Sequence, residues 1–383
     1  MKLDLFDIVL SNPSGVYRAG ERLEGEVLVE LNDGMKMQNI RLTFRGKASV
    51  KWTESRGDDS YKYEGSETYF YEKVVIWGNP LFSDAEPMVL PAGLHRFPFR
   101  YNLPQQCPTS FEGKHGNIRY SVKCTIDRPW KFDHDVVQFF TILRILDLNI
   151  EPPIAHQPFA VEETKSLGGC CCPSGELTVR VDLDQQGFAP GETIEVKLTV
   201  ENQSGSMVEP QMGIQATLEQ RIIFRSDSGR EKSSKLMLAE DVDMDGIDAY
   251  STKTIRLDLS VPAVPNTLES LCSVIDIVYY LRVTIDPSWF SSFFDFRIPV
   301  VIGSVPLQRF WETSSPGPSA PPVDPPPEYA EEMPPPSYEE CVFGRKAMED
   351  PEDSDFTRGQ RNFAPRYPVY SRSSSRPQRS IDQ

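Results

Sequence analysis

Two stretches of this chain carry the same turn-and-strand pattern, and that repeat restricts the fold more than any other feature of the sequence. GVYRAGERLEGEVLVEL begins at Gly15, and GFAPGETIEVKLTVEN begins at Gly187. Tyr17 matches Phe188, Gly20 matches Gly191 and Glu21 matches Glu192, all at an offset of 188 − 17 = 171. Leu23, Val27 and Val29 then fall on Ile194, Leu198 and Val200. A second match follows: Tyr120, Thr125-Ile126-Asp127 and Trp130 parallel Tyr279, Thr284-Ile285-Asp286 and Trp289, at an offset of 284 − 125 = 159. Two copies of one domain in tandem produce both matches in the same order.

The period of the copies is two, not 3.6. Leu23, Gly25, Val27, Val29 and Leu31 fall on one face of a strand, with Glu24, Glu26 and Glu30 on the other. Ile40, Leu42 and Phe44 alternate in the same way, as do Ala48, Val50 and Trp52. Many short alternating runs separated by turn residues predict an all-β chain of two tandem β-sandwich domains. The expected division is a first sandwich over 1–150, a linker and cysteine-rich turn over 151–174, a second sandwich over 175–305 and a disordered proline-rich tail over 306–383. Pro152, Pro153 and Pro158 mark Glu151–Ser166 as the linker, and the polar segment Thr53–Thr68 reads as a long exposed hairpin loop.

A net charge of −16 argues against a nucleic-acid partner, which needs a basic footprint. The opening MKLDLFDIVLSNPSG is unlike a signal peptide, and Gln138 and Arg144 interrupt the most apolar run. The expected compartment is therefore the cytosol, with the seven cysteines as reduced thiols. His95, His115, His134 and His156 are scattered, and no HExxH, GxSxG or phosphate-binding loop occurs. The reading is of a chain that is not an enzyme, with no cofactor and no metal site.

The tail carries a different kind of signal. Pro318-Ser319-Ala320-Pro321 reads PSAP, while Pro326-Pro327-Glu328-Tyr329 and Pro335-Pro336-Ser337-Tyr338 both read PPxY. An acidic, proline-rich ribbon cannot bury enough apolar surface to offset its own ordering, and its prolines favour polyproline II. PPxY resembles the ligand of WW domains, whose aromatic groove takes the prolines and the tyrosine. The copies are 335 − 326 = 9 residues apart, roughly 28 Å in polyproline II. That spacing lets two WW domains of one HECT ligase of the Nedd4 type bind together. PSAP is similar to the motif read by the ubiquitin-binding subunit of ESCRT-I, and Ser319 is open to phosphorylation, which would add bulk and charge there.

Leu90-Pro91-Ala92-Gly93, Phe97-Pro98-Phe99, Leu103-Pro104, Pro108-Thr109-Ser110-Phe111 and Gly116-Asn117-Ile118-Arg119-Tyr120 together resemble the signature of an arrestin amino-terminal domain. With the tandem repeat and the PPxY tail, the whole chain resembles an α-arrestin. The resemblance implies an adaptor that brings WW-domain ligases and ESCRT-I to membrane-protein cargo or the plasma membrane. Ubiquitination, endosomal transport or the budding of extracellular vesicles would follow, at the inner face of the plasma membrane and on endosomes or vesicles. A retromer-type sorting subunit and a redox-regulated binding protein are the alternatives. The helix and the apolar carboxy-terminal segment that lock the visual and β-arrestins are not seen in the sequence.

Three further groups stand out. Cys170-Cys171-Cys172 after Gly168-Gly169 reads either as a turn packed under the domain junction or as an S-acylation site, with metal binding the weakest fit. Arg119, Lys123, Arg128 and Lys131 suggest a basic strip facing anionic lipid or an acidic cargo tail, against the plainer reading of surface charge. Arg358–Arg379, rich in Arg and Ser, reads as disordered, lipid-facing or phosphorylated.

Overall fold

The alternation resolves into strands whose apolar side chains share a face. The computed structural model describes residues 2–167, 175–210, 212–287, 293–308, 357–359 and 363–370. The first domain is built from β1 (Leu3–Leu10), β2 (Val16–Arg18), β3 (Arg22–Leu31), β4 (Met35–Met37), β5 (Asn39–Arg56), β6 (Asp59–Gly78), β7 (Met88–Leu90), β8 (Gly93–Asn102), β9 (Phe111–Gly113), β10 (Gly116–Asp127) and β11 (His134–Leu143). One sheet runs β1-β3-β8 and the other β2-β11-β10-β5-β6, with β9 on β10 and a separate ribbon of β4 and β7. A 3-10 turn, Pro153–His156, leads to the second domain.

That domain holds β12 (Phe159–Leu167), β13 (Gly175–Leu183), β14 (Gly187–Phe188), β15 (Thr193–Asn202), β16 (Ile214–Arg225), β17 (Glu231–Asp243), β18 (Ser251–Ser260), β19 (Ile275–Ile285) and β20 (Phe294–Ile302). Its sheets run β12-β13-β15-β18 and β14-β20-β19-β16-β17. Leu23, Val27 and Val29 are fully buried, as are their counterparts Ile194, Leu198 and Val200.

The repeat extends to single hydrogen bonds. Gly20 and Gly191 both take positive φ, 85° and 94°. One residue later, the Glu21 carboxylate accepts from the Arg18 N–H at 2.6 Å, and the Glu192 carboxylate accepts from the Ala189 N–H at 2.5 Å. Each glutamate N–H donates back to the same residue's carbonyl, at 3.0 Å in both copies. β2 lies parallel to the end of β11, and β14 lies parallel to the end of β20. Tyr120 and Tyr279, fully buried on β10 and β19, donate their hydroxyls to the carbonyls of Pro108 (2.6 Å) and Pro265 (2.5 Å).

Two boundaries differ from expectation. Thr53–Thr68 is not a loop: β5 and β6 stay paired out to Arg56↔Asp59, and the turn is only Gly57-Asp58. Its polarity reflects strand ends whose side chains are mostly exposed, with Trp52 and Tyr63 stacked at 5.5 Å between the arms. The expected linker also shortens, because Phe159–Leu167 pairs with Leu183–Gly175 as a full strand. Its alternation of exposed Glu162, Thr164 and Ser166 with half-buried Val161 and buried Leu167 is hidden by the flanking prolines.

Candidate functional site

The motif residues Pro318, Ser319, Ala320 and Pro321, and Pro326, Pro327, Tyr329, Pro335, Pro336 and Tyr338, lie outside the described residues, as do Cys170, Cys171 and Cys172. The structure does place the two points between which the motif ribbon runs. At the near end Leu307 is buried with Leu148, Ala155 and Val301. The Asn149 side chain grips the backbone beside it, donating to the Pro306 carbonyl and accepting from the Gln308 N–H, both at 2.9 Å.

At the far end the chain returns to the body. β21 (Thr357–Gly359) adds to β11 in parallel, opposite Asp135–Val137. Phe363 stacks on Phe139 with centroids 5.9 Å apart. Tyr367 is buried and donates its hydroxyl to the Ser110 carbonyl at 2.9 Å. Tyr370 crosses to the second domain, where its N–H donates to Pro190 at 2.9 Å and its hydroxyl to Ser304 at 2.6 Å. Residues 357–359 and 363–370 thus strap both sandwiches. This corrects the expectation that Arg358–Arg379 is without structure for the residues described, and the expectation that no carboxy-terminal segment folds back. The strap has neither strand nor helix period. Its signal was three aromatic residues, Phe363, Tyr367 and Tyr370, in an otherwise Arg- and Ser-rich stretch.

The strap crosses a junction built from neutral polar groups. Thr109 Oγ1 donates to Asn266 Oδ1 at 2.6 Å in a buried pair, and Thr109 also accepts from the Arg144 N–H at 3.0 Å. Leu146 N–H donates to Ser304 Oγ at 2.7 Å. The β5–β6 hairpin makes the outer contact: the Glu67 carboxylate accepts from Ser273 N–H (2.6 Å) and Oγ (2.7 Å), and Asp227 N–H donates to the Glu64 carbonyl at 3.0 Å. The His115 ring packs edge-on to Phe224 at 5.5 Å.

The expected basic strip is split in two. Arg119 forms a bidentate pair with buried Glu112, and Lys123 pairs with buried Asp135 at 3.2 Å. Both cations are spent inside the sheet. Arg128 and Lys131 instead sit at the β10–β11 turn.

The redox reading loses support from three of its cysteines. Cys107, Cys124 and Cys272 are buried. Burial pushes the Cys107 thiol up to about 11 and raises Cys124 and Cys272 as well, away from the thiolate that reactivity requires. Among the described residues no group of three His, Cys, Asp or Glu side chains is placed to hold a metal ion. Nor is any helix among them long and apolar enough to cross a membrane.

Comparison with known proteins decides the family. The description "Arrestin (or S-antigen), N-terminal domain" matches residues 6–149, and "Arrestin (or S-antigen), C-terminal domain" matches residues 173–307. The chain belongs to the arrestin family. It is an arrestin of the α branch: it is 31% identical over 326 residues to arrestin domain-containing protein 1 of Homo sapiens, spanning 85% of this chain and 70% of that protein. The same-named protein of Mus musculus is 30% identical over 336 residues, covering 84% of this arrestin and 72% of its own length. Arrestin domain-containing protein 17 of Caenorhabditis elegans is 26% identical over 439 residues, covering 97% and 100%. The two sandwiches described above are therefore tandem arrestin domains, an arrestin-type adaptor body.

Proposed function

We propose that this arrestin is a non-enzymatic adaptor that recruits HECT ubiquitin ligases of the Nedd4 type through Tyr329 and Tyr338, and ESCRT-I through Pro318–Pro321. Its cargo is a membrane protein or the cytoplasmic face of the plasma membrane itself. The outcome is ubiquitination followed by endosomal transport or the budding of vesicles. The observation that carries this reading is the coincidence of one PSAP and two PPxY motifs within 21 residues (338 − 318 + 1 = 21), on a tandem arrestin body. Joining a ligase to its substrate raises effective concentration and needs no catalytic group on the adaptor.

A pull-down from cytosol tests it. The full chain is compared with Tyr329→Ala/Tyr338→Ala and with Pro318→Ala/Pro321→Ala. Wild type is expected to capture a WW-domain ligase and ESCRT-I, each double variant losing only its own partner. Retention of both partners by both variants would sink the reading, because docking would then lie on the sandwiches.

A further inference from the structure

The β10–β11 turn presents two aromatic side chains to solvent. Trp130 is fully exposed at a positive φ of 60°, and Phe132 is 73% exposed. The turn beneath them is braced: Arg41 pairs with Asp127 at 2.7 Å and with Asp133 at 3.4 Å, and Arg128 Nε donates to the Phe132 carbonyl at 2.9 Å. Large apolar side chains held out by a braced turn leave apolar surface in water and give nothing to the core.

Beside them lies a cleft of about 820 Å³, within the size range of small-molecule sites. Lys2, Lys36, Arg128, Lys131 and Arg358 line it together with His134, and Glu86 is the one carboxylate in its wall. Lys2 is partly offset by Asp33 at 2.7 Å, and Lys36 reaches Glu86 only at 3.9 Å. A chain of net charge −16 thus concentrates positive charge in one concavity. His134 registers that field: burial lowers its pKa, and Arg128 and Arg358 push it the same way, against Asp135. Arg358 reaches the cleft from β21, so the strap completes the site.

We propose that this cleft binds the multiply phosphorylated headgroup of an anionic membrane lipid, with Trp130 and Phe132 entering the interfacial layer beside it. Clustered cations with adjoining aromatic wedges are the pattern of a peripheral membrane contact. A phosphopeptide would use the cations and leave the exposed indole in water, so the lipid surface accounts for more of what is seen. Because Arg358 belongs to the strap, headgroup binding and strap docking favour each other. The site deepens the adaptor reading by supplying its membrane contact, but it uses none of the tail motifs.

The test is co-sedimentation of the full chain with phosphatidylcholine vesicles carrying phosphatidylinositol bisphosphate, against vesicles of matched charge carrying phosphatidylserine. Soluble inositol trisphosphate and a doubly phosphorylated peptide are titrated in parallel by calorimetry. Binding to the bisphosphate vesicles should exceed binding to the phosphatidylserine vesicles. Lys36→Gln/Lys131→Gln should weaken it about 25-fold, some fivefold for each surface cation removed. Trp130→Ala should weaken vesicle binding while leaving inositol trisphosphate binding unchanged. Arg358→Gln should weaken both. All four side chains are changed without touching the core, and unaltered thermal unfolding confirms intact folding. Equal binding to both vesicle types, insensitivity to the lysine pair, or tighter binding of the phosphopeptide than of the vesicles would overturn the assignment. Ligase and ESCRT-I are absent from the assay, so its failure is separate from failure of the pull-down.

Discussion

Tyr120 and Tyr279 each donate a hydroxyl, in their own domain, to a proline carbonyl that would otherwise be buried without a partner. Tyr120→Phe should therefore cost about 1–2 kcal/mol. Tyr279→Phe should cost more, because its oxygen also accepts from the buried Gln220 Nε2 at 2.9 Å, a stronger partner than the Cys107 thiol beside the Tyr120 hydroxyl. Scanning calorimetry of the two variants checks the order; equal loss would mean that the Gln220 bond contributes nothing. Charge acts at this scale too. Hydrogen bonding from Arg282 holds the Asp295 carboxyl below the usual range, outweighing burial, with Arg297 assisting. A folded-state pKa below the unfolded one stabilises the fold at pH above the unfolded value, near 4, and that stability fades as pH falls through the folded value. Asp295→Asn should thus lower the melting temperature at pH 7 and flatten its decline between pH 5 and pH 2. A decline as steep as wild type's would show that other carboxylates dominate acid unfolding.

At the scale of elements, the strap is the part that pattern reading failed to see. Strands declare themselves by alternation, as Leu23, Val27 and Val29 do. A single extended segment laid across two domains has no period, and Pro365 and Pro368 read as breakers. The outer end of the β5–β6 hairpin was missed for the opposite reason: most of its side chains face water or polar groups of the second domain, so its composition imitates a loop. The glycine turns were legible, because a positive φ at Gly20 and Gly191 selects that residue. Removing the strap's anchors tests its contribution. Tyr367→Ala/Tyr370→Ala should speed amide exchange roughly tenfold along Asp135–Val137 of β11, the edge that β21 covers. Exchange in β15, which the strap does not touch, should stay at the wild-type rate. No change at β11 would mean that β21 is held without the tyrosines.

For the whole molecule, the tandem arrangement could be read from the repeat alone, because an offset of 171 residues carries the turn glycine, the capping glutamate and the inward face together. How the copies meet could not be read, since the junction depends on lone polar residues such as Thr109 and Asn266 that carry no pattern. Chain ends matter here. Leu307 packs under Leu148 and Val301, so a cut after Ile302 removes part of a core, whereas a cut after Gln308 spares it. The fragment ending at Gln308 should melt a few degrees above the one ending at Ile302, a difference of roughly 1–2 kcal/mol. Indistinguishable melting curves would show that Leu307 adds nothing.

Pinning at both Gln308 and Thr357 also changes what kind of object the segment with the PSAP and PPxY motifs is. The 48 residues from 309 to 356 (356 − 309 + 1 = 48) form a span with two fixed banks, not a free end. A single protease cut within that span severs the covalent chain yet leaves both halves on one particle, the distal half moored by β21, Tyr367 and Tyr370. A nicked molecule would run as two bands under denaturing conditions and as one species in native chromatography, its PSAP and PPxY motifs still carried by the same particle.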